Sequence, residues 1–247
     1  MNTKQTIWVI IPAAGVGRRM ETNTPKQYLL LNDKPVLEHT LNVFNKHTAI
    51  SEIIVAISNE DEYWSSLNKK YDKPVHKAEG GQERCHSVLN GLNFLQGKAN
   101  DDDWVLVHDA ARPCLRNEDV NKLLNELGEH PVGGILAVPV RDTMKRAIHD
   151  SHLIKETVDR VSLWHALTPQ MFRYKLLKDA LESALEKNMQ VTDEASAIEL
   201  IGLQPVLVEG HADNIKITRP EDLALAAFFL QQLELEKADL EHNEEKQ

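Results

Sequence analysis

Ile7-Trp8-Val9-Ile10-Ile11-Pro12-Ala13-Ala14-Gly15-Val16-Gly17-Arg18-Arg19-Met20, closed by Pro25-Lys26-Gln27-Tyr28, is the stretch on which the fold turns. Its first five residues are an unbroken apolar run, the pattern of a parallel strand buried on both faces. Small residues follow at once. Ala13, Ala14 and Gly15 let a ligand approach the main chain, where bare amide N–H groups meet anionic oxygens. Arg18, Arg19 and Lys26 then bring up to three positive charges to one short loop. Such a loop suits a polyanion, for example a nucleoside triphosphate. Two common phosphate motifs do not apply. Met20 stands where the dinucleotide fingerprint needs its third glycine, and no Gly-Lys-Ser/Thr ends the loop. The plainer reading, a strand-to-helix turn with a solvated basic edge, leaves the clustered cations unexplained.

Outward from this stretch, similar apolar runs recur at residues 53–57, 104–108, 134–138 and 205–209. Between them lie segments with helical spacing at 37–44, 87–95, 118–127, 176–185 and 221–233, the first with Pro35 near its start. Strand alternating with helix predicts parallel βαβ units and a Rossmann-like α/β fold, a mostly parallel sheet covered by helices on both faces. Ligands of such sheets bind beyond the carboxyl ends of the strands, where the opening loop lies. Residues 141–158 break the rhythm. Two short extended pieces, 143–147 and 153–157, flank His149-Asp150-Ser151 and predict a projecting β-hairpin arm. A lone hairpin is marginally stable, so the arm is expected to pack on something, plausibly a second subunit. The expected organisation is one domain over residues 1–230 with this arm, then an acidic tail over 231–247.

Composition narrows the classes. Of 247 residues 42% are hydrophobic, enough for one large α/β domain or two small ones, and no stretch approaches a membrane span. The first six residues pass straight into a strand and leave no room for a signal peptide. Cys85 and Cys114 lack metal-ligand spacing and read as free thiols of a cytoplasmic protein. The net charge of −10 argues against a nucleic-acid binder but not against a nucleotide. Six acids against two lysines after residue 230 carry four of those negative charges, as expected of a frayed helix end without chemistry.

Four further clusters bear chemistry, each with a plainer alternative. Gly80-Gly81-Gln82-Glu83-Arg84 opens a helix containing Ser87, either as an anion-tolerant helix start or as an ordinary glycine turn. Asp109 and Arg112, in His108-Asp109-Ala110-Ala111-Arg112-Pro113, follow a strand directly. Asp109 there is well placed to hold Mg²⁺, or else caps a turn. Arg141 to Arg146, Thr157 to Arg160 and Thr168-Pro169-Gln170 are decoration unless the arm reaches a site. Asp213 and Lys216 flank a short strand as a second metal ligand and a phosphate clamp, or as a turn and a solvent lysine.

Together these motifs resemble the methylerythritol-phosphate cytidylyltransferase family. The resemblance rests on Pro12-Ala13-Ala14-Gly15-x-Gly17-x-Arg19-Met20, Pro25-Lys26-Gln27-Tyr28, Gly80-Gly81-x-Glu83-Arg84-x-x-Ser87-Val88 and residues 107–113. It continues through residues 139–145, Thr168-Pro169-Gln170, Thr192-Asp193-Glu194-Ala195-Ser196 and Asn214-Ile215-Lys216-Ile217-Thr218, as far as residue 222. Cys85 and His86 depart from the polar or acidic residues the family often carries there, and Gln82 is variable.

The resemblance implies a nucleotidyltransferase-type fold and transfer of CMP from CTP to 2-C-methyl-D-erythritol 4-phosphate, releasing pyrophosphate, in non-mevalonate isoprenoid synthesis. By resemblance, Arg19 and Lys26 stabilise charge at the α-phosphorus, with Mg²⁺ or another divalent cation on Asp109 and Asp213. Ala13, Ala14, Gly15, Gly17, Gly81, Gln82 and Ser87 hold CTP. Arg160 and Lys216 align the sugar phosphate, while Asp109, Arg112, Thr143 and Thr168 contact the acceptor. The attacking phosphate has its second pKa near ~6, so it is already anionic and needs no general base. That agrees with the lack of an evident His–carboxylate couple in the motifs. A homodimer through the arm, with no nucleic-acid or membrane partner, completes the expectation. The rivals are a cytidylyltransferase for ribitol 5-phosphate or another polyol phosphate, and a nucleotide-binding protein without turnover.

Overall fold

The opening apolar run forms strand β1 (Ile7–Pro12), and Val9, Ile10 and Ile11 in it are fully buried. The computed structural model describes residues 5–15, 20, 24–67 and 70–244, with side chains described to residue 239. A small antiparallel pair, β2 (Leu30–Leu31) and β3 (Lys34–Pro35), leads into α1 (Val36–Lys46). Then come β4 (Glu52–Ile57), β5 (Val75–Glu79), α2 (Arg84–Phe94), β6 (Trp104–Val107), α3 (Asn117–Leu127) and β7 (Gly133–Pro139). The chain continues through β8 (Met144–Ala147), β9 (Ile154–Val158), β10 (Trp164–Arg173), α4 (Tyr174–Glu186), α5 (Glu194–Leu200), β11 (Val206–Glu209) and α6 (Pro220–Glu244).

Seven strands form one sheet in the order β11-β7-β10-β6-β1-β4-β5. All neighbours are parallel except β10, which runs against both β6 and β7. The expected mostly parallel α/β sheet is therefore what the chain builds. Side-chain alternation along β1 sends Val9 and Ile11 to one face, with Leu37, Leu41 and Phe44 of α1 and Val120 and Leu123 of α3. Trp8 and Ile10 go to the other face, with Val88 and Leu92 of α2 and Leu177 and Leu181 of α4. Each such large side chain contributes about 1.5–3 kcal/mol on burial. Gly91 lets α2 lie close to the sheet, since a Cβ there would sit 2.7 Å from Ile10 Cγ2. A third cluster of Met20, Leu31, Val36, Ala111, Cys114, Ile217 and Ala226 fastens the segment after β1 to α6.

Three strand sites and one helix depart from the sequence reading: β2–β3, β5, β10 and α5. The central strand β10 is the consequential one. Pro169 cannot donate to a ladder, and with His165, Thr168 and Gln170 it makes the segment read as a loop. The pairing to β7 does shift between Ala166 and Gln170, around the cis Thr168–Pro169 bond, and Gln170 to Arg173 then pair with β6.

The arm forms a two-stranded sheet of its own, β8 with β9. Every residue of it is exposed except Val158, which is half-buried. The acidic segment from residue 231 on continues α6, which runs unbroken to Glu244. Among the described residues, no helix is long and apolar enough to cross a membrane.

Candidate active site

The loops after β1, β5 and β6 meet at the carboxyl ends of the central strands. The first is held through the main chain of Ala13: its N donates to Ala56 O at 2.7 Å, and its O accepts from the side-chain Nε2 of Gln27 at 2.7 Å. The second loop is fixed by Gly80 N, which donates to Ile57 O at 2.7 Å. Only glycine fits there, because a Cβ at Gly80 would sit 2.3 Å from Ala14 Cβ. Gly81 N donates to Ser87 Oγ at 2.9 Å, and that hydroxyl donates to Glu83 O at 3.3 Å. Ala13, Ala14, Gly15, Lys26, Gly81, Gln82, Ser87, Asp109 and Lys216 thereby line one cleft. Lys26 reaches it from the 3₁₀ turn before β2, its Nζ donating to Ile217 O at 3.0 Å. Gly17 and Arg19 lie outside the described residues.

Asp109 is the electrostatic hub. Directly after β6, its Oδ1 accepts from Arg84 Nε at 2.9 Å, and its Oδ2 meets Lys216 Nζ at 2.8 Å and Arg112 Nε at 3.4 Å. Burial disfavours the anion, but Arg84, Lys216 and Arg112 outweigh it and hold the carboxyl well below its ordinary range. Arg84 also forks onto Glu194 at the start of α5, at 2.6 and 3.0 Å. Burial opposes the guanidinium charge, yet the Glu194 and Asp109 carboxylates raise its pKa overall. Gln170 of β10 completes the wall, donating to Asp193 Oδ2 at 2.8 Å and accepting from Ala195 N at 2.8 Å.

Thr168 ties β10 to this hub. Its Oγ1 accepts from Asp109 N at 3.1 Å and lies 3.0 Å from His108 Nδ1. His108 Nε2 lies 3.0 Å from Arg112 O, which can only accept, so Nε2 carries the proton and Nδ1 accepts from Thr168. Burial, partly offset by that bond to Arg112 O, lowers His108 to about 4. With both ring nitrogens engaged, it is no general base. Three His–carboxylate pairs exist among the described residues, His211 with Asp119, His76 with Glu52 and His149 with Asp150, each at 2.7 Å. None of them lines the cleft.

The remaining expected residues separate. Arg112 and Lys216 line an adjoining cleft with Arg141 and Asp142, and a third opening lies between Arg112, Thr168, Gln170 and Lys216. Arg112 is buried, its Nη1 donating to Asn214 O at 2.6 Å. Asp213 belongs to none of these clefts; its Oδ2 accepts from Arg116 Nε at 2.8 Å and from Arg116 Nη2, while its Oδ1 is buried without a hydrogen-bond partner. Arg116 precedes α3, so this pair ties the loop of Asp213 to the start of that helix. Thr143 and Arg160 sit exposed on the arm and its flank and line none of these clefts. Sequence reasoning gave no role to Arg84, Glu194 or Gln170, although all three stand inside quoted motifs. The usable signal was Asp193-x-x-Ser196, a capping box that marks the start of α5 and so places Glu194 in its first turn.

A mostly parallel sheet with this cation-walled cleft at its strand ends is the architecture of a nucleotidyltransferase. The model of the 2-C-methyl-D-erythritol 4-phosphate cytidylyltransferase (IspD) family matches residues 7–232. The curated enzyme of that description from Aliivibrio fischeri (strain MJ11) is 51% identical over 236 residues, 96% of this chain and 98% of its own. Its counterpart from Pseudomonas entomophila (strain L48) is 54% identical over 217 residues, 87% and 92% respectively. A crystal structure of 4-diphosphocytidyl-2C-methyl-D-erythritol synthase superposes with a TM-score of 0.79 at 41% identity, covering 92% of this chain and 98% of that one. The Francisella tularensis cytidylyltransferase does so at 0.78 and 38%, covering 91% and 99%. The chain belongs to the 2-C-methyl-D-erythritol 4-phosphate cytidylyltransferase family, and its reaction is the CTP-dependent formation of the cytidyl-methylerythritol of the isoprenoid pathway.

Proposed function

We propose that CTP lies in the cleft between residues 13–15 and 81–87, and that the sugar phosphate enters from the opening beside Arg112, Thr168 and Lys216. The observation that carries this division is the Asp109–Lys216 contact at 2.8 Å, which stands on the boundary between the two spaces. A phosphate oxygen of methylerythritol phosphate attacks the α-phosphorus. The bond from that phosphorus to the bridging oxygen breaks, and pyrophosphate leaves with the electron pair. The nucleophile is an anion at neutral pH, so the residues' work is to align two polyanions and stabilise the new charge. Lys26 acts on the phosphates, a role the sequence resemblance also gives to Arg19; Lys216, released from Asp109 by an incoming anion, grips the acceptor phosphate. Ala13, Ala14, Gly15, Gly17, Gly81, Gln82 and Ser87 hold the nucleoside largely through main-chain groups, while Asp109 and Thr168 bound the polyol.

A divalent cation, Mg²⁺ or another, is part of this reading and would neutralise charge on the triphosphate. The donor set fits it in one place, Asp109, an anionic carboxylate on the cleft wall. Asp109 already carries Arg84 and Lys216 on its two oxygens, so the phosphates would supply most of the ion's ligands. Arg160 and Thr143 have work to do only if the arm reaches a neighbouring subunit, and a homodimer with shared sites gives them that. The exposed Leu153, Ile154 and Val161 support such a partner. The buried free thiols Cys85 and Cys114 support a cytoplasmic enzyme.

The test is pyrophosphate release from the full chain with Mg²⁺ and CTP, offering methylerythritol phosphate and ribitol 5-phosphate separately. Release with methylerythritol phosphate alone is expected. Release with ribitol phosphate would move the acceptor, and binding of CTP without release would leave a nucleotide-binding protein.

A further inference from the structure

The first turn of α2 carries a second cluster that the transfer reaction does not use. Among the described residues, Glu83, Cys85 and His86 are the one trio of His, Cys, Asp or Glu side chains whose ligand atoms all lie within 4.8 Å of one another. Cys85 Sγ stands 3.8 Å from Glu83 Oε2. His86 Nδ1 is buried and has no hydrogen-bond partner, an arrangement that costs free energy until something bonds it. Arg84, between them in sequence, is drawn off to Asp109 and Glu194, so its charge is committed elsewhere.

We propose that Glu83, Cys85 and His86 form a site for a borderline-soft divalent cation of the Zn²⁺ class at the rim of the nucleotide cleft. Glu83 itself lines that cleft. A sulfur and an oxygen ligand at a tetrahedral angle around zinc stand about 3.5 Å apart, given bonds of ~2.3 and ~2.0 Å. The Cys85–Glu83 spacing is a few tenths of an ångström from that, and Glu83 is exposed and able to close it. A thiolate, an imidazole and a carboxylate select such an ion over Mg²⁺, which prefers oxygen ligands throughout. Three protein ligands leave a fourth position for water. Metal binding forms a sulfur–metal bond and releases the thiol proton to solvent.

The site needs no nucleotide, so it stands or falls apart from the CTP reading. The experiment titrates Zn²⁺ into the full chain without CTP or Mg²⁺, following heat and proton release in two buffers. A parallel Co²⁺ titration follows the thiolate-to-cobalt charge-transfer band. One equivalent bound, about one proton released and a charge-transfer band are expected. Cys85→Ala and Cys85→Ser should each abolish the band and weaken Zn²⁺ binding at least ~10-fold, since even loss of a supporting second-layer partner costs ~10–100-fold. His86→Asn should weaken binding comparably, and Cys114→Ser, whose thiol lies elsewhere in the core, should leave it unchanged. Equal Zn²⁺ affinity in the wild type and both Cys85 variants would overturn the proposal. So would a charge-transfer band that survives in those variants, or no binding by the wild type.

Discussion

The cleft and the arm hold residues expected to serve one reaction, yet they are built in opposite ways. In the cleft, Asp109, Arg112, Thr168 and Gln170 are buried and each is bonded to main chain or to an opposite charge. The arm is a two-stranded ribbon whose ion pair, Arg146 with Glu156 at 2.6 Å, lies exposed where such pairs contribute ~0–1 kcal/mol. Its apolar side chains also face outward: Leu153 is 69% exposed and Ile154 63%. The cleft is preorganised by the sheet that carries it. The arm owes its position to whatever it touches, which in the proposed homodimer is another copy's cleft.

Breaking the cleft should cost most. Arg84→Met leaves Glu194 and Asp109 short of their shared cation, and loss of one partner from a buried pair costs about 3–5 kcal/mol. Urea unfolding measures this, and the added change Glu194→Met should recover part of it; a cost under ~1 kcal/mol would make the network ornamental. Next, Lys26→Ala should lower kcat by ~10²–10³, with a much smaller rise in KM for CTP. A raised KM with kcat intact would move Lys26 from transition-state stabilisation to simple binding.

Acid should loosen the same region through His108. Its folded pKa of about 4 lies below the unfolded ~6.5, so the unfolded chain takes the proton first. Stability is full above pH ~6.5 and declines by about 3 kcal/mol as pH falls to 4. His108→Asn should show a shallower slope in that window; parallel slopes would contradict the assignment. Below it, Asp109 adds a further loss, because its lowered pKa favours the folded state only while it is ionised. The arm sharpens the contrast with the smallest change. Leu153→Ser and Ile154→Ser should alter the chain's own stability by under ~0.5 kcal/mol, while sedimentation shows fewer dimers.

The same division governs what the sequence disclosed. Apolar runs and helical spacing exposed the parallel strands, because strands buried on both faces have no polar positions to confuse the pattern. Strand β10 stayed hidden because Thr168, Pro169 and Gln170 serve the site and so spoil its apolar signal. The cleft's main-chain half was legible from Ala13, Ala14 and Gly80-Gly81, where small residues mark close approach. The Arg84–Glu194 pair spans 110 residues, and no local pattern reveals such a partnership. The bond from Arg116 to Asp213 Oδ2 spans 97 residues and is just as invisible to local spacing.

Mixing Lys26→Ala chains with Arg160→Ala chains tests the central contrast most directly. If each cleft is completed by a partner's arm, random exchange makes half the dimers hybrid, and one of the two sites in each hybrid has both residues. About a quarter of wild-type activity should then return from two nearly inactive proteins. No recovery, with subunit exchange verified by mass labelling, would mean that one chain builds the whole site.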